Sequence, residues 1–123
     1  MTEAAFFVAC LCAEWCGSCR EYRPAFDALV ARFPQVAFAW VDIEDQPEVA
    51  GDIEVDNFPT IVIQRGELVL FCGPMLPHIN QLERLLQTFL SQSPEESRVH
   101  ALGTLERQAW QGLANVQARL RRS

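Results

Sequence analysis

The chain contains no lysine, few glycines and prolines, and no long apolar run. All ten basic residues are arginines, and sixteen acids outnumber them to give a formal net charge of −6. The basic surface that nucleic-acid binding requires is therefore absent. The longest apolar run, residues 4–13, has ten residues and is too short to cross a bilayer. These absences predict a soluble globular protein that binds neither nucleic acid nor a membrane.

The length and the cysteine content narrow the class further. A chain of 123 residues suits one domain. Met1, Thr2 and Glu3 do not form the basic start of a secretory signal, so the cytoplasm is the expected location. Five cysteines are an odd number in a chain large enough to build its own core, which argues against a purely structural disulfide framework. Some of these thiols are therefore expected to take part in chemistry.

The hydrophobic pattern predicts an α/β fold. Residues 6–12 form a continuous apolar run that is typical of a strand buried on both faces. From Gly17 onward, large apolar residues recur at helical spacing until Pro34, and Pro24 inside this helix is expected to kink it. The elements predicted next are a strand over 36–43, a short helix over 47–50, a hairpin of strands 60–63 and 68–72, and an amphipathic helix that begins near Pro77 and extends to Phe89.

One further helix is predicted at the C-terminus, after the linker-like residues 91–96. Its apolar stripe consists of Val99, Leu102, Leu105, Ala109, Leu113, Val116 and Leu120. An amphipathic stripe must be buried, so we expect this helix to pack on the sheet and Trp110 to join the core. The predicted organisation is a domain over residues 1–92 and a helical extension over 93–123 packed on the same domain.

Cys16, Gly17, Ser18 and Cys19 form a C-x-x-C motif between a predicted buried strand and a predicted helix. The backbone N–H groups and the dipole at a helix N-terminus stabilise a thiolate, which is the attacking species in disulfide exchange. A second thiol one helical turn further on can attack the mixed disulfide and release the product. A surface pair or half of a zinc knuckle is the alternative interpretation of the motif alone.

The residues around the motif resemble the thioredoxin family over about residues 6–90. The resemblance is carried by Ala13-Glu14-Trp15-Cys16-Gly17-Ser18-Cys19, by Pro24, and by Asn57-Phe58-Pro59-Thr60. It implies a thioredoxin-like fold, which is a mixed central sheet flanked by helices. In this chain the family's N-terminal strand and helix are expected to be abbreviated, and the C-terminal helix is an addition.

The resemblance also implies roles for individual residues. Cys16 is expected to be the exposed nucleophile and Cys19 the buried resolving thiol of a protein disulfide oxidoreductase. Pro59 is expected to follow a cis peptide bond. The implied partners are protein disulfides and an electron donor, either a flavoprotein reductase or a thiol pool, and no cofactor is implied. The expected substrate-binding residues are Trp15, Gly17, Ser18, Phe58, Pro59, Thr60 and Gly73.

Four residues depart from the family pattern. Ser18 stands where thioredoxins have proline, and a somewhat more oxidising couple is expected. Cys10 replaces the family's buried carboxylate, Cys12 replaces a tryptophan, and Cys72 directly precedes Gly73. The favoured interpretation of these three cysteines is that they are small buried residues. The alternative is that Cys12 or Cys72 exchanges with the Cys16–Cys19 pair.

Other functions remain open from the sequence. Cys10, Cys12, Cys16 and Cys19 could together bind zinc or an iron–sulfur cluster, but two of them lie in an apolar strand and a second knuckle is missing, so no metal is expected. His78 and His100 are expected at the surface. The alternative functions are a partner-binding or chaperone protein that uses the groove without turnover, and a redox sensor that uses the extra cysteines.

Overall fold

A computed structural model describes residues 5–13, 16–51, 53, 55 and 59–122. Within these residues, two strand–helix units are followed by a pair of strands and then by four helices. In chain order the elements are β1 (Phe6–Cys12), α1 (Gly17–Arg32), β2 (Val36–Asp42), α2 (Pro47–Ala50), β3 (Thr60–Arg65), β4 (Leu68–Pro74), α3 (Ile79–Leu90), α4 (Pro94–Ala101), α5 (Leu105–Leu113) and α6 (Val116–Arg122). The predicted elements before residue 91 are confirmed, with ends that differ by a few residues.

The strands form a mixed sheet in the order β2-β1-β3-β4. β1 runs parallel to β2 and antiparallel to β3, and β3 runs antiparallel to β4. Every residue of β1 is buried, because the strand has a neighbour on each side and helices on both faces. This explains why its sequence is continuously apolar rather than alternating.

Two apolar clusters lie on the two faces of the sheet. On the first face, side chains of β1 such as Val8 and Cys10 pack with α1 and α3. On the second face, the alternate β1 side chains, including Leu11, pack with α2 and with Ala114 and Val116 near α6. The alternation along β1 assigns each side chain to one of the two clusters.

The C-terminal region differs from the sequence prediction. The predicted single helix is wrong, because the chain breaks at residues 102–104 and 114–115 to give α4, α5 and α6. The predicted stripe is not buried as a unit: Val99 is 64% exposed and Leu105 is 83% exposed. Ala101 of α4 instead packs in the first cluster, whereas Ala114 and Val116 pack in the second cluster, on the other face of the sheet. Trp110 packs against the second cluster, as expected.

Residue-specific hydrogen bonds begin and position these helices. Ser93 and Glu96 form a reciprocal capping box at the start of α4. Thr104 caps α5 by accepting a hydrogen bond from the Arg107 N–H at 3.1 Å. Among the described residues, no helix is long and apolar enough to span a membrane.

Candidate active site

The strand register gathers the residues singled out from the sequence at one end of the sheet. β1 ends at Cys12, and the chain enters α1 through Cys16, which is the N-cap residue. In the antiparallel register Leu11 pairs with Thr60, and Ile61 pairs with Gly73. The end of β1, the start of α1, the start of β3 and the end of β4 are therefore neighbours. This end carries Cys12, Cys16, Gly17, Ser18, Cys19, Pro59, Thr60 and Gly73.

The two cysteines of the C-x-x-C motif differ in exposure. Cys19 is 1% exposed because it lies on the same buried face of α1 as Tyr22 and Phe26. Cys16 is half-buried, and Gly17 and Ser18 are exposed. The Cys16 N–H donates to the Ala13 carbonyl oxygen at 3.0 Å, which holds the turn that leads from β1 into α1. An accessible thiol thus precedes a buried one by a single helical turn.

Cys19 forms a disulfide with Cys12, and Cys16 is a free thiol. The Cα atoms of Cys12 and Cys19 are 5.9 Å apart, within the usual range for a disulfide. The favoured interpretation of Cys12 as merely a small buried residue is therefore wrong. Cys12 is the last residue of β1 and belongs to the same cluster as the buried side of α1, and this places it beside Cys19.

Cys10 lies next to this disulfide. Its Sγ is 3.8 Å from the Cys12 Sγ, because the two side chains lie two positions apart on one face of β1. Burial raises the pKa of the Cys10 thiol far above its ordinary value, and the positive charge of Arg23 opposes only part of this effect. Cys10 therefore remains a neutral thiol near pH 7.

Cys72 belongs to the opposite face of the sheet. It packs at the margin of the second cluster, away from the Cys10 and Cys12 side chains. Partial burial raises its pKa to about 11, while the charge of Arg119 acts in the opposite direction. The structure therefore separates Cys72 from the other cysteines by the thickness of the sheet.

Two side chains of α1 contribute to the site without having been singled out from the sequence. The Arg23 guanidinium lies 4.7 Å from the centre of the Trp40 ring and forms an exposed ion pair with Asp27. Arg23 and Cys19 line one pocket of about 370 Å³. The Tyr22 hydroxyl is buried and has no hydrogen-bond partner among the described residues. Tyr22 fitted the predicted apolar face of the helix, so the pattern gave no sign of its polar atom.

The structure describes only some of the substrate-binding residues that the resemblance implies. Pro59 and Thr60 are buried at the start of β3, and the Pro59 carbonyl oxygen accepts a hydrogen bond from the Met75 N–H at 3.1 Å. Gly73 is half-buried on the neighbouring strand. Trp15 and Phe58 lie outside the described residues. Pro59, Thr60 and Gly73 therefore share the sheet end that carries the C-x-x-C motif.

The histidines do not join this site. His78 is exposed, as expected, and His100 is half-buried. The His100 Nε2 is 2.9 Å from the Leu70 carbonyl oxygen, and its Nδ1 is 2.8 Å from an Arg107 guanidinium nitrogen. The described part of the chain contains no group of three or more His, Cys, Asp or Glu side chains that could hold a metal ion.

A mixed sheet with helices on both faces and a C-x-x-C at the β1–α1 junction defines the class of thioredoxin-fold proteins. The family model described as Thioredoxin matches residues 2–88, and the chain belongs to this family. The chain is 32% identical to a putative thioredoxin 2 from Streptomyces coelicolor over 74 residues, which cover 60% of the chain and 55% of that protein. It is 43% identical to thioredoxin H2-1 from rice over 54 residues, which cover 44% of the chain and 39% of that protein.

Solved structures give the same result for the fold. The thioredoxin of Fasciola hepatica has a TM-score of 0.64 at 27% identity, covering 70% of this chain and 82% of that one. The thioredoxin of Trypanosoma brucei brucei has a TM-score of 0.66 at 27% identity, covering 75% and 80% of the two chains. The chain spans only 55% and 39% of the two curated relatives named above. These neighbours confirm the predicted thioredoxin-like fold with its C-terminal addition.

Proposed function

We propose that the protein is a thiol–disulfide oxidoreductase acting on protein disulfides through Cys16 and Cys19. The observation that carries the proposal is the pairing of a half-buried thiol at the N-cap of α1 with a buried cysteine one turn later. Cys16 is the accessible member of the motif and stands at the N-cap of α1. The burial of Cys19 keeps it from attacking substrates directly.

In the proposed reaction Cys16 attacks a substrate disulfide and forms a mixed disulfide. Cys19 then attacks the Cys16 sulfur, the substrate leaves as a dithiol, and a Cys16–Cys19 disulfide forms. Trp15, Gly17, Ser18, Phe58, Pro59, Thr60 and Gly73 are the proposed substrate contacts. Pro59 and Thr60 support this because they begin β3 beside the end of β1. The exchange requires no bound cofactor.

Turnover as a reductase needs an electron donor, and we propose a flavoprotein reductase or a thiol pool in the cytoplasm. The reacting unit is residues 1–92. Residues 93–123 are a helical extension packed on the same domain, and the presence of Ala101, Ala114 and Val116 in the apolar clusters on the two sheet faces supports this packing.

A redox sensor is the second candidate, and the Cys12–Cys19 disulfide favours it. In a sensor, oxidation would change the protein's own state without catalytic turnover on a substrate. The two candidates differ in whether the protein accelerates the reduction of a foreign disulfide.

Insulin reduction by dithiothreitol tests the proposal. The wild-type protein should accelerate insulin precipitation, and Cys16→Ser should return the rate to that of dithiothreitol alone because the attacking thiol is lost. Cys19→Ser should lower turnover and trap a mixed disulfide at Cys16. Cys72→Ser is the matched control and should retain the wild-type rate, since Cys72 lies on the other face of the sheet. No acceleration by the folded wild-type protein would contradict catalysis and favour the sensor or a binding protein.

A further inference from the structure

The cysteines on the first face of the sheet form a continuous sulfur cluster. Cys12 and Cys19 are bonded, and the Cys10 Sγ lies 3.8 Å from the Cys12 Sγ. The proposed catalytic pair uses Cys19 as well, with Cys16 as its other member. Cys19 therefore has two candidate disulfide partners, Cys12 on β1 and Cys16 at the N-cap of α1.

Accessibility determines how the Cys12–Cys19 disulfide can form. Cys12 is 0% exposed and Cys19 is 1% exposed, so a substrate protein cannot reach either sulfur. Cys16 is half-buried and stands three positions before Cys19 in the same helical turn. A substrate protein disulfide therefore reacts first at Cys16, and the oxidation reaches the buried pair through Cys19.

We propose that Cys12 is a second resolving residue that takes over the disulfide from Cys16. This inference rests on the proposed function, in which substrate oxidation of the protein first produces the Cys16–Cys19 bond. The Cys12 sulfur attacks the Cys19 sulfur, a Cys12–Cys19 bond forms, and the Cys16–Cys19 bond breaks. The proton that Cys12 loses ends on Cys16. One disulfide exists before and after the step, so no external oxidant or reductant is consumed.

Cys10 does not compete for this role. Its Sγ lies 3.8 Å from the Cys12 Sγ, but Cys10 is a free thiol, and the disulfide joins Cys19 to Cys12. Cys10 and Cys12 are in contact on one face of β1, whereas the disulfide between Cys12 and Cys19 links β1 to α1. Cys12 is thus the member of the cluster that connects the strand to the catalytic helix.

The exchange gives the oxidised protein a property that a two-cysteine site lacks. Once the disulfide has moved to Cys12 and Cys19, Cys16 is again a free, accessible thiol. It can attack a second disulfide, of a protein or of a small thiol compound, while the first disulfide remains buried. The expected product of that attack is a mixed disulfide at Cys16 that an external thiol must resolve.

The position of Glu14 makes the disulfide directly mappable. Cleavage after glutamate separates a peptide of residues 4–14, with Cys10 and Cys12, from a peptide of residues 15–21, with Cys16 and Cys19. The fully reduced full-length protein is treated with one equivalent of oxidised glutathione, quenched with acid, alkylated and digested. A Cys12–Cys19 bond joins the two peptides, whereas a Cys16–Cys19 bond closes a loop within residues 15–21.

We expect the joined peptides, with Cys16 alkylated, to exceed the looped peptide by about tenfold at equilibrium. Cys10→Ser should leave the joined product unchanged and so assign it to Cys12. Cys12→Ser should yield only the looped peptide. In Cys16→Ser the joined product should form at least about tenfold more slowly with the same probe, because the entry thiol is lost.

Two outcomes would overturn the proposal. One is a wild-type protein that holds only the Cys16–Cys19 loop at equilibrium, a result that needs no variant to fold. The other is a joined product that forms as fast in Cys16→Ser as in the wild type. Either outcome leaves the insulin assay unaffected, so failure of the exchange is distinguishable from failure of the proposed function.

Discussion

The side-chain amide of Gln111 pairs with both backbone polar groups of Val69. Its Oε1 accepts from the Val69 N–H at 2.9 Å, and its Nε2 donates to the Val69 carbonyl oxygen at 2.9 Å. Val69 belongs to β4, which is an edge strand of the sheet. The α5 side chain thus takes the place of a neighbouring strand at this residue and blocks the edge against association.

Gln111→Ala should destabilise the protein by about 1–3 kcal/mol, because two buried backbone groups of β4 lose their partner. The measurement is the free energy of unfolding from urea titration of the oxidised protein. Gln87→Ala, at an exposed position of α3, is the control and should change this free energy by less than about 0.5 kcal/mol. Equal effects of the two substitutions would contradict a role for Gln111 at the sheet edge.

Gly51 and Gly66 both have a positive φ angle but lie in different surroundings. Their φ angles are +56° and +58°. A Cβ on Gly51 would lie 3.0 Å from the Arg119 guanidinium, whereas a Cβ on Gly66 would meet no atom within 4 Å. The guanidinium cannot move freely, because it donates to the carbonyl oxygens of Val49 and Ala50 at 3.2 Å and to that of Leu113.

Gly66→Ala should therefore cost about 1 kcal/mol for the left-handed backbone alone, and Gly51→Ala should cost more. Part of the excess should disappear in an Arg119→Ala background, since the obstructing group is then gone, and the part due to the Gly51 backbone at φ 56° and ψ −126° should remain. A double-mutant cycle on the free energy of unfolding measures this coupling. Equal losses for both glycines in the wild-type background would contradict the contact.

Gly112 is an exposed glycine within α5, and a Cβ there would meet no atom within 4 Å. Gly112→Ala should stabilise the protein by about 0.5–1 kcal/mol, because alanine loses less backbone entropy in a helix. Thermal unfolding monitored by circular dichroism measures the change. The reverse substitution at the exposed Ala109, Ala109→Gly, should destabilise by a similar amount, and loss of stability in Gly112→Ala would refute the prediction.

Cys72 should react with iodoacetamide slowly near neutral pH. Its pKa is raised to about 11 by partial burial, so the thiolate fraction and the rate should keep rising up to that pH. Mass spectrometry of the peptide over residues 66–84, in which Cys72 is the only cysteine, follows the reaction.

The protein unfolded in urea is the control for this experiment, and there the Cys72 rate should level off near the ordinary pKa of 9.0. Because the folded pKa is raised, the stability conferred by the protonated thiol is present below pH 9 and is lost as the pH rises toward 11. A rate that levels off at the same pH in both states would show that Cys72 is not shielded in the folded protein.

The sequence alone determined the elements up to residue 90 and located the C-x-x-C motif between β1 and α1. The apolar run of β1, the helical spacing of Cys19, Tyr22 and Phe26, and the C-x-x-C between them are local features, so propensity and periodicity are sufficient to predict them. The resemblance carried by the same segment led to the family.

Only the tertiary structure determined which sulfur meets Cys19 and how the C-terminal residues pack. Cys12 and Cys16 are both close to Cys19 in sequence, but the packing of α1 on β1 decides which of them is bonded to it. The apolar stripe from Val99 to Leu120 fits a single long helix. The two faces and the edge of the sheet lie in different directions, so one straight helix cannot cover all of them. The chain covers them with three short helices, because contacts distant in sequence outweigh a continuous local pattern.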